Sequence, residues 1–318
     1  VEELQLGDVL CGGEGTLEMP EIDMPKPMMS LTVVPKSRDD EQKIDAGLQK
    51  LAESDPTLRL KRERQSSELV MTGMSDLHLQ VTLNKLTSRF GVSADTREPS
   101  VPYLETITRN AEGQYRHKKQ TGGRGQFGEV HLRLEPNERG AGFEYIDAIK
   151  GGVIPQQYMP AIEKGIREVM GQGILAGCPI VDVKATIFFG QFHAVDSSEA
   201  AFKIAGSRAF QTVFDNCGPV LLEPIAKIEV TIPVERMGDV SGNLTGHRGR
   251  IMGMDQAGPL QILAAEIPMA EVRGFSTELQ SITGGEGMFT LEVSHYEVVP
   301  AQLQQQIMTR RKASQEKK

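Results

Sequence analysis

The chain has 318 residues, enough for two or three domains with cores of their own. Its 43 acidic and 35 basic side chains leave a formal net charge of -8 at pH 7. That balance excludes a protein that coats nucleic acid nonspecifically, so any RNA contact has to be local. Cys11, Cys178 and Cys217 are too scattered to build a zinc site among themselves and fit reduced thiols in a cytosolic protein. No apolar run reaches the roughly 18 residues of a membrane span, and the first residues show no signal-peptide pattern.

In chain order, residues 1–27 read as the tail of a preceding β domain and a linker. Leu4–Cys11 is strand-like, and Pro20, Pro25 and Pro27 break up the stretch after it. With Val1 in place of an initiator Met, this opening points to a piece of a longer protein. Residues 28–98 then alternate clearly. Met28–Val34 is β-like. Asp39–Glu53 is a helix with Ile44, Leu48 and Leu51 at helical spacing. Leu58–Arg62 and Glu68–Met71 are short strands. Ser75–Phe90 is a helix with Leu77, Val81, Leu83 and Leu86 along it, and Val92–Asp95 is a closing strand. The order is βαββαβ, the ferredoxin-like arrangement.

The middle section, 99–222, has a different rhythm. Val101–Thr108 is strand-like and leads to His117-Lys-Lys-Gln-Thr-Gly-Gly-Arg-Gly-Gln-Phe-Gly128. Glycine lets a backbone approach a partner closely. Lys118, Lys119 and Arg124 offer charge-assisted contacts to phosphate, and Phe127 offers a stacking face. A solvated hairpin is the bland reading. The three cations repel one another unless an anion is near, so Lys118, Lys119, Gly122, Gly123, Arg124, Gly125, Gln126 and Phe127 are read as an RNA-contacting loop. Glu129–Leu134 and Phe143–Ile149 follow as strands, a helix runs from Pro160 to Met170, and Ile180–Phe189 is a further strand. Asp196, with Glu199 three residues on, reads as the cap of a helix whose buried stripe is Phe202, Ala205, Ala209, Phe210 and Val213. His193 falls in the connection before that helix. A lone histidine is usually structural, but a loop tip held between a strand and a helix is where a recognition residue would stand.

Residues 223–301 repeat the first rhythm. Ile225–Val234 is a strand and Glu235–His247 a helix. Gly249–Met254 and Leu260–Ile267 are strands, Ala270–Ser281 a helix and Gly287–Val298 a long strand. His247, Arg248 and Arg250 form a basic turn and a second candidate phosphate contact. Residues 302–318 read as a helix with a basic, solvated end, packed with the middle section. The sequence holds no G-x-x-x-x-G-K-[ST] phosphate loop, no H-E-x-x-H and no G-x-S-x-G. A self-contained catalyst, a resident metal or a tightly bound nucleotide is therefore not expected.

Arg116-His-Lys-Lys-Gln-Thr-Gly-Gly-Arg-Gly-Gln-Phe-Gly128 and His193-Ala-Val-Asp-Ser-Ser-Glu-Ala-Ala-Phe-Lys-Ile-Ala-Gly206 resemble elongation factor G, the bacterial translocation GTPase. Gly73-Met-Ser-Asp-Leu-His-Leu79, Pro224–Pro233, Gly238-Asp-Val-Ser-Gly-Asn-Leu and Arg248-Gly-Arg-Ile-Met-Gly-Met254 continue the resemblance over almost the whole chain. It implies domains III–V of that factor. The expected class is α+β: two ferredoxin-like domains, 28–98 and 223–301, flanking an α/β domain of the ribosomal-protein-like type at 99–222 plus 302–318. It also implies a role. The middle domain would be a tRNA-mimicking arm whose tip, Gly122–Gly128 and Gln191–Asp196 with His193, enters the decoding site of the small ribosomal subunit. His247–Arg250 would meet large-subunit RNA near the factor-binding center. GTP is implied for a domain outside this chain, and the cytoplasm for the whole.

Some positions depart from the common family pattern. Phe189-Gly-Gln-Phe-His193 stands where Asp-Gly-Ser-Tyr-His is usual, and an acid, Glu286, sits in Thr283–Gly287 where a base is usual. A divergent paralogue therefore fits at least as well as the housekeeping factor. A ribosome-recycling or ribosome-protection factor of the same architecture and a generic RNA-binding scaffold are the alternatives.

Overall fold

The computed structural model describes Gly12, Met24 and residues 27–63, 67–120 and 125–315, without the side chains of Arg38 and residues 312–315. The strand expected over Leu4–Cys11, and Gly122, Gly123 and Arg124 of the glycine loop, lie outside the described residues. Two compact units account for the rest. One gathers the described residues up to Val101 with Ile225–His295, the other Pro102–Pro224 with the residues from Tyr296 onward.

The first unit opens with β1 (Met29–Pro35), α1 (Arg38–Glu53), β2 (Arg59–Arg62), β3 (Leu69–Gly73), α2 (Asp76–Phe90) and β4 (Ala94–Arg97), joined in an antiparallel sheet of order β2-β3-β1-β4. Ile44, Leu48 and Leu51 of α1 are buried as their spacing predicts. On α2 the buried residues are Leu79, Thr82 and Leu86, while Leu77 and Val81 face solvent. The helix is rotated relative to the expected stripe because Ser75 caps it, accepting the His78 N–H at 3.2 Å, and this points Leu79 into the sheet.

The second unit contains β5 (Leu104–Ile107), β6 (Ala111–Lys119), β7 (Gln126–Pro136), β8 (Phe143–Asp147), α3 (Met159–Gln172), β9 (Val183–Gln191) and α4 (Glu199–Asn216). Its sheet has the order β6-β7-β9-β8, with β8 parallel to β9. Helices α3 and α4 cover one face. Ile162, Ile166 and Val169 from α3, and Phe202, Phe210 and Val213 from α4, meet Val130, Leu132, Leu134 and Ile187 of the sheet in one core. The stretch between α3 and β9 has neither helix nor strand, yet it is firmly tied. The fully buried Glu105 carboxylate accepts the N–H groups of Ile174, Leu175 and Ala176 at 2.8 Å and of Cys178 at 2.9 Å.

β10 (Pro219–Pro233) pairs with β5 through its first residues and with β12 through the remainder. The remainder starts the second βαββαβ series: α5 (Met237–Gly246), β11 (Arg250–Ala257), β12 (Leu260–Pro268), α6 (Phe275–Thr283) and β13 (Met288–Val298), in sheet order β11-β12-β10-β13. α7 (Ala301–Gln315) closes the chain and packs Leu303, Ile307 and Met308 beside Tyr103 and Leu221 in the second unit. The class is α+β, with two ferredoxin-like element orders around a different middle.

Candidate nucleic-acid interface

The run expected as a loop from His117 begins inside a strand. β6 was not legible as one: its inward positions include Gly113, where a Cβ would stand 2.8 Å from Val213 of α4. His117, Lys118 and Lys119 are paired residues of this strand, opposite Gly128, Phe127 and Gln126 of β7. His117 Nε2 lies 2.9 Å from Gln126 Oε1, fixing the end of the hairpin. Lys118 and Lys119 are exposed, and neither meets a carboxylate among the described residues. Gly125 packs against the Asp196 side chain, whose carboxyl carbon would lie 2.7 Å from a Cβ there and would have to shift to admit one.

Asp196 belongs to the second connection, between β9 and α4. The expected cap is displaced by two residues. Ser198 is the N-cap and accepts the Ala201 N–H at 3.2 Å, so α4 starts at Glu199. Asp196 and Ser197 instead join the two connections, 70 residues apart in sequence. The Phe127 N–H donates to the Asp196 carbonyl at 2.9 Å. The buried Ser197 hydroxyl accepts the His193 N–H at 2.8 Å and donates to the Phe127 carbonyl at 2.9 Å. Each of these backbone groups would otherwise need water or cost free energy.

His193 stands at the end of this assembly, its side chain 55 % exposed. Its Nδ1 accepts the N–H groups of Val195 and Asp196 at 3.3 and 3.2 Å. Nδ1 also lies 3.4 Å from the Asp196 carboxylate, so the polar contacts of the ring within the fold are made at Nδ1 and none at Nε2 among the described residues. Phe127 meets the ring edge-on at 6.3 Å. The structure thus brings Lys118, Lys119, Gly125, Gln126, Phe127 and His193 to one end of the second unit. Chemically this is an exposed imidazole held by the fold, with an aromatic neighbor and nearby cations, suited to a ribose, base edge or phosphate.

The basic turn after α5 is built differently. His247 Nε2 lies 2.9 Å from Glu278 and Nδ1 3.8 Å from Glu271. Arg248, in a left-handed conformation with φ 57°, donates to Glu271 at 2.9 Å. Arg250 pairs with Glu266 at 2.9 Å. Hydrogen bonds from Asn243 and then His247 hold the Glu278 carboxyl below the usual range. Every side chain of this candidate contact already has a carboxylate partner. Sequence reasoning missed these acids, which lie 16 to 31 residues further on.

It also missed Ser197 and Glu129. Glu129 is buried under the open face of the second sheet, held by Arg116 and, at 2.9 Å, by His131. Burial would raise its carboxyl, but the hydrogen bonds from Arg116 and His131 outweigh that and hold it below the usual range. Sequence alone gave no sign of either residue beyond a polar side chain in an apolar neighborhood.

Three family models match the chain in order. Elongation Factor G domain III matches residues 24–98, Elongation factor G domain IV residues 99–232, and the Elongation factor G C-terminus residues 220–307. A protein of Thermus thermophilus with a known crystal structure is 44% identical, with a TM-score of 0.78. The match covers 94% of this chain and 46% of that one, so this chain corresponds to about half of that relative. The three matches, in family order and together spanning most of the sequence, place the chain in the elongation factor G family, as its domain III, domain IV and C-terminal domain.

Proposed function

We propose that this chain is the ribosome-binding part of an elongation factor G-type translation factor, acting in the cytoplasm as a tRNA-mimicking arm during movement of tRNA and mRNA. The observation that carries the reading is the joined tip. Ser197 and Asp196 lock the end of the β6–β7 hairpin to the His193 connection, which leaves the His193 ring and the Lys118 and Lys119 ammonium groups exposed at that end. An imidazole held in place and cations at the end of a domain suit RNA at close range. Gly122, Gly123 and Arg124 extend the same contact in this reading. GTP binding and hydrolysis belong to the part of the protein outside this chain. At the large-subunit side, phosphate has to displace Glu271, Glu278 and Glu266 before it can reach His247, Arg248 and Arg250. That contact is accordingly the weaker one.

The test is single-turnover translocation on programmed ribosomes with the full-length protein. His193→Ala should slow the ribosome-dependent step while the protein stays folded. An unchanged rate would remove the tip from the mechanism. Subunit splitting in place of translocation would assign the protein to the recycling class.

A further inference from the structure

The sheet of the second unit has helices on one face only, and the other face is open. The register places Lys118 and Arg116 of β6 beside Phe127 and Glu129 of β7 on that open face, with His131 and Arg133 further along the same strand. On β9 the pairing slips at His131, where one residue is passed over: Leu132 pairs with Ile187, and His131 with Phe189. A bulge of this kind turns two successive side chains to one side. Phe188 and Phe189 accordingly both meet the His131 ring edge-on, at 6.0 and 4.9 Å. Gly190 makes the bulge possible, since a Cβ there would lie 2.3 Å from the Glu129 carbonyl oxygen. The result is a pair of phenylalanines on β9, a central strand of the four-stranded sheet, and Phe189 remains 39% exposed.

An exposed aromatic surface needs a reason, and its surroundings point to one. Toward the tip this face carries Arg116, paired with the buried Glu129, and Lys118, which meets no carboxylate among the described residues. Glu129 also takes the His131 Nε2 at 2.9 Å, which fixes the imidazole against the two rings. A protein partner would favor a continuous apolar patch. Aromatic rings interleaved with cations, continuous with the tip through the Lys118–Phe127 pair, suit a chain of bases on a phosphate backbone.

We infer that the open face of β6, β7 and β9, centered on Phe189, Phe188 and His131 and flanked by Arg116 and Lys118, is a stacking platform for an unpaired RNA segment. The inference rests on the RNA-contacting reading of the tip and adds a second surface to it. Base stacking is tolerant of sequence, so the platform holds unpaired RNA by its rings and backbone charge and does not read its bases.

Fluorescence anisotropy of the 318-residue chain with a labeled oligouridylate about ten nucleotides long, within the site size of such platforms, tests this. Phe189→Ser should weaken binding roughly 5- to 100-fold, as expected for one lost stacking contact, and leave the salt dependence unchanged. Phe189→Tyr should retain the affinity. Lys118→Gln should instead flatten the slope of log affinity against log salt by about 0.7, the value for one lost phosphate contact on a single strand. That variant keeps the test open should Phe189→Ser fail to fold. The proposal is overturned if the parent chain does not bind the oligonucleotide, or if folded Phe189→Ser binds within about twofold of it. Loss of ribosome co-sedimentation in Phe189→Ser, with no oligonucleotide binding by the parent, would assign the face to a protein partner and overturn it as well. Failure of the tip reading looks different: ribosome-dependent activity would then be indifferent to His193→Ala while Phe189→Ser still lost the oligonucleotide.

Discussion

At the tip of the second unit, His193 has its Nδ1 beside two backbone N–H groups and, at 3.4 Å, the Asp196 carboxylate, while Lys118 and Lys119 are exposed nearby and meet no carboxylate among the described residues. At the turn after α5, His247, Arg248 and Arg250 bring the same kinds of side chain to a surface, but Glu278, Glu271 and Glu266 meet them. The residue types are alike and their use is opposite. At the tip, hydrogen bonds hold backbone, and the two lysine ammonium groups are left for a partner. At the turn, the imidazole and guanidinium groups hold the fold. Residue type alone does not separate a binding surface from a structural ion-pair cluster; the location of the compensating acids does.

Steric tolerance should give the largest contrast, between Gly190 near the tip and Gly246 just before the turn. Gly190→Ala pushes a Cβ to 2.3 Å from the Glu129 carbonyl oxygen and 2.4 Å from Ile154, so it should cost about 1–3 kcal/mol in urea unfolding. Near the turn, Gly246→Ala in α5 meets nothing within 4 Å and should stabilize by about 0.5–1 kcal/mol. Equal effects would erase the contrast between these two positions; within the turn itself Gly249 is tightly fitted as well, since a Cβ there would lie 2.5 Å from the Leu244 carbonyl oxygen.

Ser197→Ala comes next, with a loss of about 1–2 kcal/mol, because the His193 N–H and the Phe127 carbonyl lose their shared partner. A neutral result in the same unfolding assay would mean that water replaces the hydroxyl and that the two connections are not locked together.

Acid should sharpen the turn's side of the comparison. The folded-state carboxyl of Glu278 is held below its ordinary 4.5, so its contribution is present above that value and is lost as pH falls through the lower folded value. Glu278→Gln should therefore lower stability at neutral pH and show little difference from the parent in strong acid. A difference that stayed constant with pH would show that packing, not charge, makes the contact.

The smallest effect on stability belongs to His193→Ala, within about 0.5 kcal/mol of the parent by thermal unfolding, as expected for an exposed loop-end side chain. A large loss of stability would make His193 a structural residue and remove the distinction between the two regions.

The elements with strong apolar periodicity were legible in the sequence. α1, α3 and α4 bury the stripes that their spacing marks, and both βαββαβ orders follow from alternation and turn residues. β6 was not legible, because its inward residues include a glycine that makes room for Val213 and a histidine bonded to Gln126. The start of α4 was misplaced because Asp196 and Ser198 both suit a cap, and only the hairpin's claim on the Asp196 carbonyl decides between them. Of the tip, the glycines, lysines, Phe127 and His193 stood out as a cluster of unusual composition. Ser197, which joins the two connections, did not, since nothing local distinguishes it from its neighbor. The acids at the turn were hidden for a related reason. Their role depends on β11, β12 and α6 being folded together, and no local pattern encodes that.

Glu105 has a consequence for dynamics. The amides of Ile174, Leu175, Ala176 and Cys178 lie in a stretch without helix or strand, and all four point at one carboxylate about 70 residues earlier in the chain. None can open to solvent alone without leaving part of a buried charge uncompensated. Their hydrogen exchange should therefore proceed only with cooperative opening of the surrounding unit, at the pace of core strands such as β7 and not of a surface connection. In Glu105→Gln a donor replaces one of the two accepting oxygens, and this irregular segment should then exchange as the loop it outwardly resembles.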